Sequence, residues 1–452
     1  MYASKQTAGN FLQHLRECGE PFILRRNGAP AQWGDELPHQ DVYQLNPEIY
    51  ALFAAHEAVR NEQRVRILFQ LLRSSRAGQP AEVRRTLDRV SNFLLEVLHP
   101  DEVLAVFLAL RRVRANHKHT SRAILNYILN HPQLEDMAGC RRPALVDCLE
   151  HAMGKNTARA CAKMLSPGAV ADEAYLRRHL LRNASDPQRV RRVFAALYSS
   201  PPQAGTGSYK LAGANYAQQL QPVRERPATV TATNRGDISA TLIHLYGGGT
   251  SSELQEALQG YVGRAAAGLP RFAGKLAVVL DASESARGYG QREYCCVSQS
   301  VALQLVLEKC CTEVRVFPVG GSGRLPAPEG NTDLAGALLD ALESQPDLVA
   351  IISDGYENLY PGDLARVVAT LPQVGIETPV VFCHSKFTSS DDLSLRRPAP
   401  DLPQLEFWHE DDFELLLLQL FSMASRQVSE PGLRQYLLKK LEGVEKVWTA
   451  KS

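Results

Sequence analysis

Apolar residues recur at helical spacing from about residue 48 to residue 198, and polar residues, many of them arginines, occupy the positions between them. Successive segments of about 10–18 residues follow this pattern, as in DEVLAVFLALRRVRANH and DPQRVRRVFAALYSS. Most begin after Asp, Ser, Thr, Asn or Pro and end near Gly, Asn or Pro, which are start and stop signals of helices. Because none of these helices can bury its apolar face alone, the pattern predicts an α-helical, HEAT-like repeat array over residues 48–199.

After residue 270 the pattern changes to alternating strands and helices. Five short apolar segments read as strands: KLAVVLD, EVRVFPVG, DLVAIISDG, TPVVFCHS and PQLEFWHE. Helical segments separate them, which predicts a doubly wound, mostly parallel, Rossmann-like sheet covered on both faces over residues 271–425. The chain as a whole is therefore expected to be α + α/β.

Three segments lie outside these two modules. Residues 1–47 contain the turn-rich stretch RRNGAPAQWGDELPHQ and are expected to be irregular. Residues 200–270 are interpreted as a linker with a short strand at ATVTATN and two further helices. Residues 426–452 are expected to form a C-terminal helix.

The formal net charge of +1 hides an asymmetry between the two halves. Residues 1–200 contain 28 basic and 20 acidic residues, a net charge of +8, whereas residues 271–452 contain 17 basic and 25 acidic residues, a net charge of −8. Opposite charges favour different partners for the two halves. Attraction between the halves would account for the same pattern equally well.

No apolar run approaches the length of about 18 residues needed to cross a membrane, and the first residues lack the apolar core of a signal peptide. The nine cysteines are an odd number and include no C-x-x-C motif. They are interpreted as reduced, buried thiols of a cytoplasmic protein, and not as a disulfide framework or a zinc site.

Oxygen-bearing side chains follow two of the predicted strands. Asp281 ends the first strand and is followed by Ser283 and Ser285, while Asp354 ends the strand in AIISDGYEN and Thr332 precedes a helix in EGNTDLAGAL. The carboxyl ends of parallel strands meet at one edge of a sheet, where ligands bind. Two carboxylates and three hydroxyls suit Mg²⁺, which prefers oxygen ligands and retains water. As turn formers and helix caps, the same residues would need no ion.

The order D-x-S-x-S, a distant Thr and a distant Asp resembles the von Willebrand factor A domain and its metal-ion-dependent adhesion site, over about residues 272–425. The resemblance implies that Asp281, Ser283, Ser285, Thr332 and Asp354 hold Mg²⁺ or Mn²⁺ and that an acidic side chain of a protein partner completes the coordination. Glu284 departs from the small residue common in the family, and its charge bears on the choice of cation or partner. The chain has no Walker loop or zinc motif and no activated nucleophile, so it is not expected to be an enzyme.

A helical module followed by an A domain resembles the Ro autoantigen family, whose TROVE module binds RNA, although no diagnostic TROVE motif is present. The resemblance implies that RNA binds the basic residues of the helical module. The candidate contacts are Arg111, Arg112, Arg114, His117, Lys118, His119, Arg177, Arg178, Arg189, Arg191 and Arg192. Such clusters are also typical of a solvated helix face. The histidine pair in NHKHT fits a helix start or an RNA-facing loop better than a metal site.

Two hypotheses follow for the function. The leading one is an RNA-binding scaffold of the Ro/TROVE type, with an A domain whose metal site binds a partner. The alternative is a protein-interaction adaptor that binds no RNA, for example one for an AAA+ ATPase of the MoxR type, as implied by other A-domain proteins with helical N-terminal regions. Aromatic residues make up only 7% of the chain, which argues against an extensive base-stacking platform.

Overall fold

The computed structural model describes residues 8–24, 29–31, 34–199, 237–249, 252–388, 390–391 and 396–449. The chain divides into two compact units. The helical unit comprises Phe11–Pro222 and Lys440–Ser452, and the sheet unit comprises Met1–Asn10 and Val223–Lys439. The strand predicted at ATVTATN, residues 228–234, lies outside the described residues.

Helices make up the described chain before residue 200. Their bounds are α1 (Ala8–Glu17), α2 (Glu36–Leu45), α3 (Pro47–Leu52), α4 (Asn61–Arg73), α5 (Ala81–Val97), α6 (Pro100–Arg112), α7 (Lys118–Asn130), α8 (Leu134–Cys140), α9 (Arg142–Met153), α10 (Lys155–Met164), α11 (Glu173–His179) and α12 (Pro187–Tyr198).

The local sequence accounts for these helices, as α12 illustrates. The side chain of Asp186 accepts hydrogen bonds from the backbone N–H groups of Gln188 and Arg189, both at 3.0 Å, and Pro187 occupies the first turn. Apolar residues at helical spacing then form its buried face: Val190, Val193, Phe194 and Leu197.

Residues 1–47, expected to be irregular, contain the helices α1 and α2. The apolar residues Phe11, Leu12 and Leu15 of α1 lie on one face and are almost completely buried, and so are Val42 and Tyr43 of α2. The turn formers in this region therefore separate two helices, and the expectation of an irregular segment was wrong.

Two helices precede the strands of the sheet unit, and in the described residues a helix follows every strand except the fourth. Their bounds are α13 (Ile238–Tyr246), α14 (Ser252–Ala267), β1 (Phe272–Ala282), α15 (Cys295–Cys310), β2 (Cys311–Gly320), α16 (Leu334–Glu343), β3 (Leu348–Ser353), α17 (Asp363–Thr370), β4 (Val380–Ser385), β5 (Gln404–Phe407), α18 (Phe413–Ser422) and α19 (Arg426–Thr449), of which α19 belongs to this unit as far as Lys439. The five strands are parallel, in the order β2-β1-β3-β4-β5.

Both faces of this sheet are covered. Along β1, Val278 and Leu280 belong to a core formed with α13, α14, α15 and α18, whereas Ala277 and Val279 belong to a second core formed with α16 and α17. Helix α15 is buried along almost its whole length, as its all-round apolar sequence predicts. A helical region followed by a covered parallel sheet confirms the α + α/β class.

Among the residues that the structure describes, no helix combines the length and apolar character needed to cross a membrane.

Candidate metal centre and basic surface

The carboxyl ends of β1 and β3 place Asp281 and Asp354 at the same edge of the sheet. The two strands are parallel neighbours, with Leu280 opposite Ile352. Asp281 is the penultimate residue of β1, and Asp354 directly follows β3. The topology therefore brings together two carboxylates that lie 73 positions apart in the sequence.

The hydroxyl groups form one hydrogen-bonded network with the Asp281 carboxylate. Thr332 Oγ1 donates to Ser283 Oγ at 2.7 Å, and Ser283 Oγ lies 3.0 Å from Ser285 Oγ. Asp281 accepts from the backbone N–H of Ser283 at 3.0 Å and from the hydroxyl of Ser353 at 2.6 Å. Four of the predicted metal ligands are thus linked directly to one another.

Both carboxylates are buried, with 0% of Asp281 and 1% of Asp354 exposed. Burial raises the pKa of each carboxyl group, and the neighbouring charge of Asp281 raises the pKa of Asp354 further. In the described part of the chain, no basic side chain forms an ion pair with either group. Asp354 Oδ2 is buried and has no hydrogen-bond partner among the residues that the structure describes. Two buried, unneutralised carboxyl groups need a cation or a proton.

This donor set fits a hard divalent cation. Carboxylate and hydroxyl oxygens are ligands that Mg²⁺ and Mn²⁺ accept, and two carboxylates match the charge of one divalent ion. Asp354 Oδ2 is a buried acceptor that a cation would satisfy. The residues present are therefore compatible with the predicted ion.

Two residues absent from the sequence-based prediction hold the Asp354 backbone. His384 Nε2 donates to the Asp354 carbonyl oxygen at 2.8 Å, and Arg396 Nη1 donates to the same oxygen at 3.0 Å. Gly355, with φ +86°, permits this approach, because a Cβ there would lie 2.6 Å from the Arg396 carbonyl oxygen. No local motif marks His384 or Arg396, since both come from β4 and the segment after it.

Gly320, the last residue of β2, has φ +85° and packs against the backbone that carries the serines. A Cβ at this position would lie 2.8 Å from both the Ala282 oxygen and the Ser283 Cα, and would overlap the Glu329 oxygen. Only glycine fits between these backbone segments without displacing them.

Exposed tyrosines follow both strands that carry the aspartates. Tyr289 lies after β1 with 90% of its surface exposed, and Tyr356 and Tyr360 lie after β3 with 45% and 63% exposed. Glu284 is also exposed. Aromatic side chains that are exposed to solvent thus lie close in sequence to the predicted metal ligands.

Several of the predicted RNA contacts are engaged within the helical unit. Arg112 donates to the backbone oxygen of Ala29 at 2.9 Å. Three others form ion pairs: Arg111 with Asp147 at 3.1 Å, Arg189 with Glu135 and Arg191 with Glu173, both at 2.5 Å. These arginines stabilise helix contacts, so they are less available to phosphate groups.

The other predicted basic contacts are exposed and form no ion pair with any residue that the structure describes: Arg114, Lys118, Arg177, Arg178 and Arg192. Arg177 and Arg178 lie on α11 and Arg192 lies on α12, and the ion pair between Arg191 and Glu173 joins these two helices. Three of these five exposed basic residues therefore lie on the adjoining helices α11 and α12.

The imidazole rings of His117 and His119 stack with centroids 5.5 Å apart. His117 Nε2 binds the Arg73 carbonyl oxygen at 3.1 Å. Burial, with a smaller effect of nearby Arg76, lowers the pKa of His119 to about 4, which keeps this imidazole neutral at pH 7. Neither ring belongs to a described group of three or more metal-ligating side chains.

No protein-family model and no curated protein matches the chain. Among solved structures, it is similar to the crystal structure of the Ro (RSR) protein of Deinococcus radiodurans, with 10% sequence identity and a TM-score of 0.34 over 91% of this chain and 99% of that one. A likeness at this level does not establish a shared family.

Proposed function

We propose that the sheet unit is a von Willebrand factor A domain whose Asp281, Ser283, Ser285, Thr332 and Asp354 form a metal-ion-dependent adhesion site for Mg²⁺ or Mn²⁺. The single observation that carries this proposal is the pair of buried carboxyl groups, which form no ion pair within the described chain and lie at the same sheet edge as a network of hydroxyl groups. A bound cation supplies positive charge that attracts an anionic oxygen of a partner. The chain's own residues bind and orient that cation, so the unit is a binding module and not an enzyme.

The proposed partner at this site is a protein that offers an Asp or Glu side chain. The exposed tyrosines Tyr289, Tyr356 and Tyr360 support a protein partner, because tyrosine is enriched in protein interfaces. Glu284 adds negative charge beside the serines, which favours a partner whose acidic group is flanked by basic residues.

RNA binding by the helical unit is the second part of the proposal, which makes the protein an RNA-binding scaffold of the Ro type with a HEAT-like, TROVE-type module. Its support is the group of exposed basic residues on α11 and α12 that form no ion pair with a described residue, Arg177, Arg178 and Arg192. Arginine side chains that are free of internal ion pairs can contact phosphate groups without losing a partner.

RNA binding is tested by fluorescence anisotropy with a labelled single-stranded RNA over a series of salt concentrations. Replacing Arg177, Arg178 and Arg192 with alanine should weaken binding and reduce the slope of log K against log salt by about 2, since each single-strand phosphate contact contributes about 0.7.

A matched control replaces Arg315, Arg324 and Arg366, three exposed arginines of the sheet unit, and removes the same charge. If both triple variants weaken binding equally, net charge alone governs the affinity and the helical unit has no RNA site.

The alternative is an adaptor that binds a protein, such as a MoxR-type ATPase, through the metal site and binds no RNA. The exposed tyrosines favour it equally. Purification at low salt separates the hypotheses: co-purified RNA that high salt removes supports the scaffold, whereas a protein partner released by EDTA, without nucleic acid, supports the adaptor.

A further inference from the structure

A second group of metal-ligating side chains lies in the helical unit. His14 is in α1, Cys18 follows four residues later just beyond the end of this helix, and Asp35 precedes α2. The spacing H-x-x-x-C places two ligands on one side of a helix. One ligand atom from each of the three residues lies within 4.8 Å of the others.

Two distances in this group are close to those around a tetrahedral ion. With metal–nitrogen and metal–oxygen bonds of about 2.0–2.1 Å and metal–sulfur bonds of about 2.3 Å, ligand atoms are about 3.3–3.6 Å apart. His14 Nε2 lies 2.9 Å and Cys18 Sγ lies 3.5 Å from Asp35 Oδ2. Both contacts lie within a few tenths of an ångström of this range, so the three side chains are close enough together to share one ion.

One oxygen of the Asp35 carboxylate, Oδ2, is held by hydrogen bonds, and the other, Oδ1, is available to a metal ion. Gln63 Nε2 donates to Oδ2 at 3.0 Å, and Arg66 Nη1 donates to the same atom. Oδ1 is buried and has no hydrogen-bond partner among the described residues. Outer-shell hydrogen bonds of this kind fix the carboxylates that bind metals.

The charges also balance. Deprotonated Cys18 and Asp35 would supply two negative charges to a divalent ion. The positive charge of Arg66, which forms an ion pair with Asp35 at 2.5 Å, is also offset by the carboxylate of Glu20 at 3.6 Å. His39 is excluded as a further ligand, because its Nδ1 binds the Tyr50 hydroxyl and its Nε2 binds the Gln63 side chain. The fourth position would be filled by water, since 27% of the His14 side chain is exposed.

We propose that His14, Cys18 and Asp35 bind a zinc ion, independently of the oxygen-rich site in the sheet unit. A set of one imidazole, one thiolate and one carboxylate suits zinc, whereas Mg²⁺ takes oxygen ligands. The two sites therefore differ in the metal that they select.

Cobalt(II) provides the test, because its complexes with thiolates have a charge-transfer band that oxygen ligands do not produce. The full-length protein, reduced and freed of metal by a chelator, is titrated with Co²⁺. We expect one equivalent of Co²⁺ to develop the thiolate band and Zn²⁺ to abolish it.

Variants show which residues produce the thiolate band. Cys18→Ser should remove it, and His14→Ala and Asp35→Asn should weaken Zn²⁺ binding at least about tenfold, the scale reached by loss of an outer-shell partner. Cys140→Ser, a change at another half-buried cysteine, and Asp281→Ala should leave the band unchanged. A band that survives Cys18→Ser overturns the proposal.

A measurement on the unaltered protein keeps the test valid if a variant does not fold. Zn²⁺ should slow the alkylation of Cys18 by iodoacetamide, mapped by mass spectrometry, and leave the alkylation of Cys140 unchanged. Equal protection of both cysteines, or of neither, would also overturn the proposal.

Discussion

The guanidinium group of Arg396 donates a hydrogen bond to the backbone oxygen of Asp354 at 3.0 Å across 42 residues of sequence. It also donates to Asp391 Oδ2 at 2.9 Å and lies 5.3 Å from the ring centroids of Tyr356 and Phe387. The position of a proposed metal ligand after β3 therefore depends on the segment that follows β4.

We expect Arg396→Met to lower the free energy of unfolding by about 1–3 kcal/mol, because it removes charged hydrogen bonds from a largely buried site. Mg²⁺ affinity should fall about tenfold, as for other outer-shell partners. Chemical denaturation and calorimetric titration measure the two effects. The neighbouring Arg397→Met, at an exposed residue, is the control. Unchanged Mg²⁺ affinity would make Arg396 purely structural.

Asp281→Asn should abolish Mg²⁺ binding without destabilising the metal-free protein, because it removes one of two neighbouring buried carboxylates. The unaltered protein should gain about 2.7 kcal/mol at a free Mg²⁺ concentration about 100 times the Kd, and the variant should gain nothing. Urea unfolding with and without Mg²⁺ measures this difference, and exposed Asp340→Asn is the control. A variant that Mg²⁺ still stabilises would show that the ion binds elsewhere.

Gly320→Ala should destabilise the sheet unit by several kcal/mol, because it combines a positive φ with overlap against the Ser283 backbone. Gly323→Ala is a close control: φ at this position is +88°, but no atom of the described residues lies within 4 Å of the added Cβ. Thermal unfolding of both variants separates backbone strain from steric overlap. Equal losses would mean that the contact with Ser283 is unimportant.

The stability of the sheet unit should fall between pH 6.5 and pH 9 because of His409. Burial alone would lower the pKa of this imidazole, but the carboxylates of Asp237 and Asp411, at 3.6 and 3.4 Å, outweigh burial and raise the pKa to about 9. A group whose pKa is raised on folding stabilises the folded state fully at pH values below its unfolded-state pKa, which is about 6.5 for histidine. This contribution, roughly 3 kcal/mol, is lost as the pH rises through about 9.

Urea unfolding at several pH values tests this expectation, with His409→Gln as the comparison. The variant should be less stable than the unaltered protein at pH 6 and should lose less stability by pH 9.5. Parallel pH profiles would rule out His409 as the source of the pH dependence.

The sheet could be predicted from the sequence because its strands are short apolar runs that end in polar residues, as VVLD does at Asp281. Parallel topology then brings Asp354 to the same edge without further information. The hydrogen bonds that hold the Asp354 backbone could not be predicted, because Arg396 and His384 donate to its carbonyl oxygen and share no sequence motif with Asp354. Helices α1 and α2 were missed because turn formers outnumber the few apolar residues, such as Phe11 and Leu15, that pack into the core.

Helices α13 and α14 precede β1, yet Leu242 and Leu258 belong to the same core as the buried helix α15. A fragment cut at the start of the first strand would therefore leave one side of α15 open to water. Such a fragment should aggregate, whereas one that begins before Asp237 retains the covering layer. A fragment made to study the metal site alone should therefore begin upstream of α13.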